Sequence, residues 1–279
     1  MRQIDVNLVG ETIKSLLIKA NTKLPQDVLA RLTQASEQES NEIAKLMLKQ
    51  IIENAQIASE KNWPLCQDTG MAVIFLDIGQ AVNLVNGDIN EVINSKVAEA
   101  YAQGRFRNSV ASPIKRVNTN DNTPAIIHYN IVPGDKVHIY VAPKGFGSEN
   151  MSQLYMLNPT AGEEGIIESI VDAVKKAGGK PCPPIVIGVG IGGTIEKASL
   201  IAKRSLLRPL AQPSSEPDIA ALEQRVLTEV NKLNIGVQGV GGNTTALAVH
   251  INTHPTHIAG LPVAVNIQCH SARHAEAVL

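Results

Sequence analysis

Residues 185–193 read Ile-Val-Ile-Gly-Val-Gly-Ile-Gly-Gly and place the pattern G-x-G-x-x-G between an apolar segment and a predicted helix over 194–207. In a dinucleotide-binding unit, a second parallel strand ending in Asp or Glu follows about 20 residues later. Here residues 211–217 read Ala-Gln-Pro-Ser-Ser-Glu-Pro, which is turn chemistry. The stretch therefore favours a close-packing or anion-binding glycine loop over a nucleotide site in a doubly wound sheet.

Away from this stretch, helices and strands follow one another without regular alternation. Helices are predicted from apolar spacing at 1–62 (with a buried face on 43–57), 88–103, 162–177 and 218–233. Strands are predicted at 72–76, 125–132 and 137–142, the last two joined as a hairpin by Pro133-Gly134-Asp135-Lys136. This order predicts an α+β fold. We expect one domain over 1–279, helical over 1–62 and then, over 63–279, mixed strands and helices with glycine-rich loops.

Composition excludes several functional classes. The 279 residues carry a net charge of -1, so no basic excess favours binding to nucleic acid or to anionic lipid. The first residues lack a signal-peptide pattern, and no apolar stretch reaches the roughly 18 to 20 residues of a membrane span. We expect a cytoplasmic protein with neither a nucleic-acid nor a membrane partner.

The chain has three cysteines, Cys66, Cys182 and Cys269, which are too few and too far apart for a disulfide framework or a close-spaced zinc motif. They could be buried small side chains in a structural partner subunit. However, each is predicted at the edge of a loop, where a rigid scaffold presents ligands and where prolines stiffen the backbone around a metal ligand. Three thiolates on an iron–sulfur cluster would leave one iron open to act as a Lewis acid.

Five segments carry a resemblance to a known family. They are Leu65-Cys66-Gln67-Asp68-Thr69-Gly70, Phe106-Arg107-Asn108-Ser109, Lys144-Gly145-Phe146-Gly147-Ser148-Glu149-Asn150, Gly188–Gly193, and Thr253–Ala259 through Gln268-Cys269. In this order they resemble the class I (iron–sulfur) fumarate hydratases and the L-tartrate dehydratases. The resemblance implies a 4Fe-4S cluster held by Cys66, Cys182 and Cys269, and a small dicarboxylic acid as substrate. Reversible hydration of fumarate to malate is the first expectation, and L-tartrate dehydration is the alternative.

The same resemblance implies roles for individual residues. Asp68 and His257 are the expected catalytic residues. The expected substrate-binding residues are Gln67, Asp68, Arg107, Gly145, Gly147, Ser148, Asn150 and His257. These residue types suit the chemistry, because an arginine can bind a carboxylate through two parallel hydrogen bonds and glycine loops present backbone N–H groups to an anion.

The chain ends ten residues after Cys269. The single-chain fumarases continue into a further domain, so the resemblance implies a separate β subunit that completes the site, in an α2β2 assembly. Five of the seven histidines fall in the last 30 residues, which also suggests zinc, although Pro255 breaks helical ligand spacing between His254 and His257. A regulatory anion- or nucleotide-binding module built on 188–193 is the alternative from another class.

Overall fold

The computed structural model describes all 279 residues, which form two compact units. The first unit comprises Met1–Pro25, Asn54–Gly145 and Arg273–Leu279. The second comprises Gln26–Glu53 and Phe146–Ala272. Each unit is thus built from separate stretches of the chain. The expectation of one domain over 1–279 stays a prediction.

The predicted α+β class is confirmed, because helices and strands both contribute and the two larger sheets are mixed. The strands are β1 (Arg2–Asp5), β2 (Met71–Gly79), β3 (Val82–Val85), β4 (Ile126–Val132), β5 (Val137–Lys144), β6 (Gln153–Leu157), β7 (Ile185–Gly192), β8 (Ala246–His254), β9 (Leu261–Gln268) and β10 (Ala275–Val278). The helices are α1 (Val6–Thr22), α2 (Gln26–Gln38), α3 (Glu42–Lys61), α4 (Ile89–Gln103), α5 (Phe146–Glu149), α6 (Gly162–Ala177), α7 (Ile195–Ser205) and α8 (Pro217–Asn231). None of the helices has both the length and the apolar character needed to cross a membrane.

The core of the first unit forms where α1 and α4 cover the sheet ordered β10-β5-β2-β4. Ile13 and Leu17 of α1, Ile74 of β2 and Ile139 of β5 are fully buried there. Burial of each such side chain contributes about 1.5–3 kcal/mol. Strand β2 is central, and its continuous apolar run is covered on both faces.

The predicted hairpin between β4 and β5 is wrong, because β2 lies between them, parallel to β4 and antiparallel to β5. The Pro133–Lys136 turn instead passes around the end of β2. The Gly79 N–H donates to the Lys136 carbonyl at 2.8 Å, and the Ala81 N–H donates to the Gly134 carbonyl at 2.9 Å. Turn chemistry encodes a reversal of direction, but it does not encode whether a third strand fits between the two arms.

The predicted helical region 1–62 contains α1, α2 and α3, preceded by the short strand β1. The predicted buried face on 43–57 is only partly correct. Leu48 and Ala55 are buried, whereas Ile43 is 59% and Leu46 57% exposed. At 3.6 residues per turn, the exposed pair lies on the opposite face of α3 from the buried pair, so apolar residues occupy more than one side of this helix.

The second unit is built on the sheet ordered β6-β9-β7-β8, covered by α6, α7 and α8. β7 and β8 are parallel, and β9 runs antiparallel to β7 on its other side. Helix α6 has the predicted bounds, and Gly178 ends it with a φ of 55°. The β7 residues Ile187 and Val189 are buried with Val226 of α8 in a continuous apolar core.

The glycines of 188–192 lie within β7, not in the loop that the sequence predicts. A Cβ on Gly188 would overlap the carbonyl oxygen of Ala202, and a Cβ on Gly190 would overlap that of Ala198. Both oxygens belong to α7, so these two glycines let the helix backbone contact the strand directly. The structure therefore supports the close-packing interpretation of these positions.

We predict that Gly190→Ala lowers the free energy of unfolding by about 3 kcal/mol, because the new methyl group must displace the α7 backbone. Urea denaturation measures this change. Gly260→Ala is the matched control, since a Cβ there has no heavy atom within 4 Å. It should change stability by less than about 0.5 kcal/mol. Equal effects of the two substitutions would contradict the close-packing argument.

Candidate active site

The loop Leu65–Gly70 connects α3 to β2 and carries the first cysteine. The Leu65 N–H donates to the Asn21 carbonyl at 2.8 Å, and Asn54 Nδ2 donates to the Leu65 carbonyl at 2.9 Å. Asp68 Oδ1 accepts from the Gly70 N–H at 2.9 Å, and the φ of 76° at Gly70 turns the chain into β2. The loop therefore has a defined conformation at both ends.

Two buried side chains hold the carbonyl groups at the end of this loop. The Tyr101 hydroxyl lies 3.0 Å from the Thr69 carbonyl and 2.9 Å from the Gly70 carbonyl. Asn122 Nδ2 donates to the same Gly70 carbonyl at 3.1 Å, and Asn122 Oδ1 accepts from the Ser109 N–H at 2.7 Å. Asn122 thereby connects the Leu65–Gly70 loop to the segment that contains Arg107.

The backbone of Arg107 is fixed while its side chain is exposed. Thr69 Oγ1 donates to the Arg107 carbonyl at 3.1 Å. The preceding Phe106 is buried edge-to-face against Tyr101, with ring centroids 5.6 Å apart. The Arg107 side chain is among the exposed ones of the first unit. This arrangement suits a residue whose guanidinium binds a ligand from solvent.

Gly145, at the end of β5, lies beside Asp68 and Arg273. A Cβ on Gly145 would be 3.1 Å from Asp68 Oδ2 and 3.5 Å from Arg273 Nη2. Arg273 Nη2 donates to the Asp68 carbonyl, and Nε donates to the Pro143 carbonyl at 3.2 Å. The first unit therefore brings together the predicted residues Asp68 and Gly145 and adds Arg273, which the sequence did not reveal.

In the second unit, the Cys182 and Cys269 segments are adjacent. Cys182 is three residues before Ile185, the first residue of β7, and Cys269 directly follows Gln268, the last residue of the antiparallel β9. The His270 N–H donates to the Cys182 carbonyl at 3.3 Å, and His270 Nδ1 lies 2.9 Å from the same oxygen. The two thiol-bearing segments therefore share one end of the sheet.

All three cysteines are thiols and none is part of the buried core. Cys182 is exposed, and Cys66 and Cys269 are partly exposed. Cys182 has a φ of 56°, which is uncommon for a residue with a side chain. Cys66 Sγ lies 3.2 Å from Oε1 of Gln67, the next residue. Nowhere in the chain do three or more His, Cys, Asp or Glu side chains form a group arranged to hold a metal ion.

The segment Phe146–Asn150 packs beside the Cys182 and Cys269 segments. Ser148 is buried, and its Oγ lies 3.4 Å from Oε1 of Gln268. A Cβ on Gly147 would be 3.8 Å from the Lys180 carbonyl oxygen. Gly147 and Asn150 are exposed. The predicted substrate-binding positions of this segment therefore lie next to the residues that precede the two cysteines.

An ion pair fixes this segment to the sheet. The Glu149 carboxylate accepts from Lys203 Nζ at 2.6 Å and from Asn266 Nδ2 at 3.1 Å. Asn266 Nδ2 also donates to Ser152 Oγ at 3.0 Å. Lys203 belongs to α7 and Asn266 to β9, so Glu149 connects the short helix α5 to both layers of the second unit.

His257 lies at the other end of the second sheet. It is exposed in the connection from β8 to β9, beyond the residue pair Gly192 and His254 that ends the β7–β8 register. Cys182 and Cys269 lie beyond the opposite ends of β7 and β9. The eight residues of β7, on the order of 25 Å, separate the two ends. Within one chain, the structure does not bring His257 to these cysteines.

Comparison with known proteins identifies the family of this chain. Residues 10–278 match the family described as "Fumarate hydratase (Fumerase)", and the chain belongs to this family. A protein of Methanocaldococcus jannaschii, "Putative L(+)-tartrate dehydratase subunit alpha", is 42% identical over 273 residues, which are 96% of each chain. An Escherichia coli protein, "L(+)-tartrate dehydratase subunit alpha", is 30% identical over 276 residues, 98% of this chain and 91% of the relative. The names of both relatives imply a partner β subunit for those proteins.

We predict that Tyr101→Phe lowers the free energy of unfolding at pH 7 by about 1–3 kcal/mol, because a buried carbonyl loses its donor. Burial raises the pKa of Tyr101 above its ordinary value of 10.0. The hydroxyl therefore makes its full contribution to the free energy of unfolding below about pH 10. Above that pH the contribution declines, because Tyr101 ionises in the unfolded chain before it ionises in the folded one. The difference between wild type and Tyr101→Phe should narrow in urea denaturation above that pH.

Tyr129→Phe is the matched control. Tyr129 is an exposed residue of β4, and its hydroxyl donates to Asn90 Oδ1 at 2.8 Å. Removal of this hydroxyl should lower the free energy of unfolding at pH 7 by less than about 0.5 kcal/mol. A cost at Tyr129 equal to that at Tyr101 would show that the carbonyl groups of the Leu65–Gly70 loop do not depend on the buried hydroxyl.

Proposed function

We propose that this chain is the α subunit of a two-chain iron–sulfur hydro-lyase that hydrates fumarate to malate reversibly. One observation supports this most directly. His270 joins the Cys182 and Cys269 segments at one end of the second sheet, and the Phe146–Asn150 segment lies beside them. A thiol pair next to an anion-binding segment suits a metal centre that handles a carboxylic acid.

The donor chemistry of the chain fits a thiolate-ligated cluster. Cys66, Cys182 and Cys269 lie on loops, outside the apolar cores, and none is in a disulfide. A structural role as buried small side chains would predict the opposite. We therefore infer that these three thiolates hold a 4Fe-4S cluster. When bound, such a cluster supplies an open iron that acts as a Lewis acid on the substrate hydroxyl.

Asp68 is the proposed group that moves or orients a proton. Its Oδ1 accepts from the Gly70 N–H, which fixes the rotation of the carboxylate, and its Oδ2 is directed toward Gly145. A carboxylate held in this way can orient a water molecule or accept a proton at Oδ2. The exposed Gln67 is its neighbour in the chain and can hydrogen-bond the substrate.

The substrate carboxylates have two proposed sites of recognition. Arg107 offers an exposed guanidinium on a fixed backbone, which suits a paired hydrogen bond to one carboxylate. Gly145, Gly147, Ser148 and Asn150 offer a glycine-containing segment whose N–H groups suit the other. A side chain at either glycine would restrict the approach of an anion to the backbone.

His257 enters the proposal through assembly. Its own chain separates it from Cys182 and Cys269 by the length of β7, so we infer that it contacts substrate only where a further chain completes the site. The names of the relatives support a β partner, and an α2β2 assembly would supply both a β chain and a second copy of His257. We place the assembled enzyme in the cytoplasm.

L-tartrate dehydration is the second candidate, because the relatives described above are named as tartrate dehydratase subunits. Malate and tartrate differ by one hydroxyl, and a site that selects it needs a dedicated hydrogen-bond partner. We identify no such partner in this chain. An anion- or nucleotide-binding module on 188–193 receives less support, because Gly188 and Gly190 face the backbone of α7.

The proposal predicts about four iron and four sulfide per α chain after anaerobic purification with the β chain. Cys66→Ser, Cys182→Ser and Cys269→Ser should each lose most of this iron, because a hydroxyl is a poor replacement for a thiolate ligand. Ser199→Ala, on the exposed face of α7, should keep it. Iron and sulfide analysis measures the cluster content of each variant, and circular dichroism checks that the variant is folded. A variant lacking all three thiols that still holds the full cluster would refute the assignment.

Activity should require both chains. We expect the purified complex to hydrate fumarate and dehydrate malate, and the α chain alone to do neither, because this chain supplies only part of the site. Parallel assays with malate and L-tartrate identify the substrate. Activity on tartrate alone would replace the first substrate with the second and keep the hydro-lyase class. Full activity of the isolated α chain would refute the two-chain proposal.

A further inference from the structure

Arg273 is a charged side chain buried in the first unit. It is 3% exposed, and its Nη1 is buried without a hydrogen-bond partner. Burial of a guanidinium is costly unless the charge is matched by hydrogen bonds or by a nearby carboxylate. Neutral side chains, such as Tyr101 and Asn122, already supply the other buried donors to the same loop. The position of a full positive charge here therefore calls for a reason beyond packing.

The contacts of Arg273 connect the Asp68 loop to the end of β5. Nη2 donates to the Asp68 carbonyl, and Nε donates to the Pro143 carbonyl at 3.2 Å. Two different nitrogens of one rigid, planar guanidinium therefore bind carbonyl groups of two separate segments, whereas the donors of a lysine all lie on one nitrogen at the end of a flexible chain. Arg273 thus fixes the peptide group of Asp68 relative to the strand that leads to Gly145.

The charge of Arg273 lies close to the Asp68 carboxylate. The position of a Cβ on Gly145 is 3.1 Å from Asp68 Oδ2 and 3.5 Å from Arg273 Nη2, so both groups use the space that the glycine leaves open. A Cβ at position 145 would require the Asp68 carboxylate to shift by a few tenths of an ångström. The guanidinium therefore acts on Asp68 in two ways, through the hydrogen bond to its carbonyl and through the proximity of its charge.

We propose that Arg273 is a positioning residue for Asp68 in the hydro-lyase reaction. It holds the peptide group of Asp68 in one orientation, and it thereby aims the carboxylate at the substrate. This inference rests on the role of Asp68 in the proposed function. It adds a residue four positions after Cys269 that none of the quoted family segments includes.

The test compares Arg273→Gln and Arg273→Lys with the same substitutions at Arg208, in the αβ complex. Arg208 is a suitable control because it is also a largely buried arginine, paired with Glu223 in the second unit, with an Nε that lacks a partner. Malate kinetics, iron per chain and thermal unfolding are measured for all four variants. Amide hydrogen exchange of residues 65–70 is measured on the cluster-free protein.

For Arg273→Gln we expect kcat to fall about 10- to 100-fold, because Asp68 loses the side chain that holds it in position. The KM for malate should change less than about threefold, because Arg273 does not contact substrate in this proposal. Arg273→Lys should recover part of kcat, since an ammonium can still reach one carbonyl. Exchange of residues 65–70 should quicken in Arg273→Gln, and iron per chain should stay at the wild-type value.

Arg208→Gln should lose thermal stability while keeping kcat within about twofold of wild type, because it supports no group in the site. The inference is overturned if Arg273→Gln keeps wild-type kcat, or if the Arg273 and Arg208 variants lose kcat in parallel with stability. Should Arg273→Gln fail to fold, Arg273→Lys against Arg208→Lys makes the same comparison. A wild-type complex without iron or hydro-lyase activity would instead refute the proposed function itself.

Discussion

Three buried side chains donate hydrogen bonds to three successive carbonyl groups, and the proposed chemistry of the first unit depends on this set. Arg273 bonds to Asp68, Tyr101 contacts Thr69 and Gly70, and Asn122 adds a second donor to Gly70. A loop rarely has its carbonyl groups satisfied from the protein interior, because loops usually hydrate theirs. The consequence is a stiff peptide that carries both a thiol and a carboxylate in a fixed register.

In the second unit, the segments that carry the thiols are also held in place, but not by buried hydrogen-bond donors. There the rigid element is the sheet, and the Cys182 and Cys269 segments are fixed because they extend from neighbouring antiparallel strands. Gly188 and Gly190 let α7 approach β7 closely, and Lys203 of α7 then reaches Glu149. A packing feature of the core thereby determines the position of the Phe146–Asn150 segment, and close packing accounts for the first two glycines of the G-x-G-x-x-G pattern.

Local features were predictable from the sequence, and long-range ones were not. Apolar spacing and Gly178 gave the bounds of α6, and the β2 run was recognisable as a strand. The position of β2 between β4 and β5 depends on contacts between distant residues, which turn chemistry cannot encode. The role of the three cysteines as cluster ligands stays a prediction, and their position on loops outside the apolar cores agrees with the one that the sequence predicts. Arg273 was missed because its partners are backbone carbonyls, and these leave no signal in the sequence.

The first unit is built from three separate stretches of the chain, so the order of synthesis determines when all of its parts are present. Its last piece, Arg273–Leu279, pairs as β10 with β5, and Arg273 bonds to the Cys66–Gly70 loop. These residues are synthesised after every other part of the two units, so the first unit lacks an edge strand and an interior cation until they emerge from the ribosome. The loop that carries Cys66 therefore acquires its final environment only after the whole of the second unit, with Cys182 and Cys269, has been synthesised.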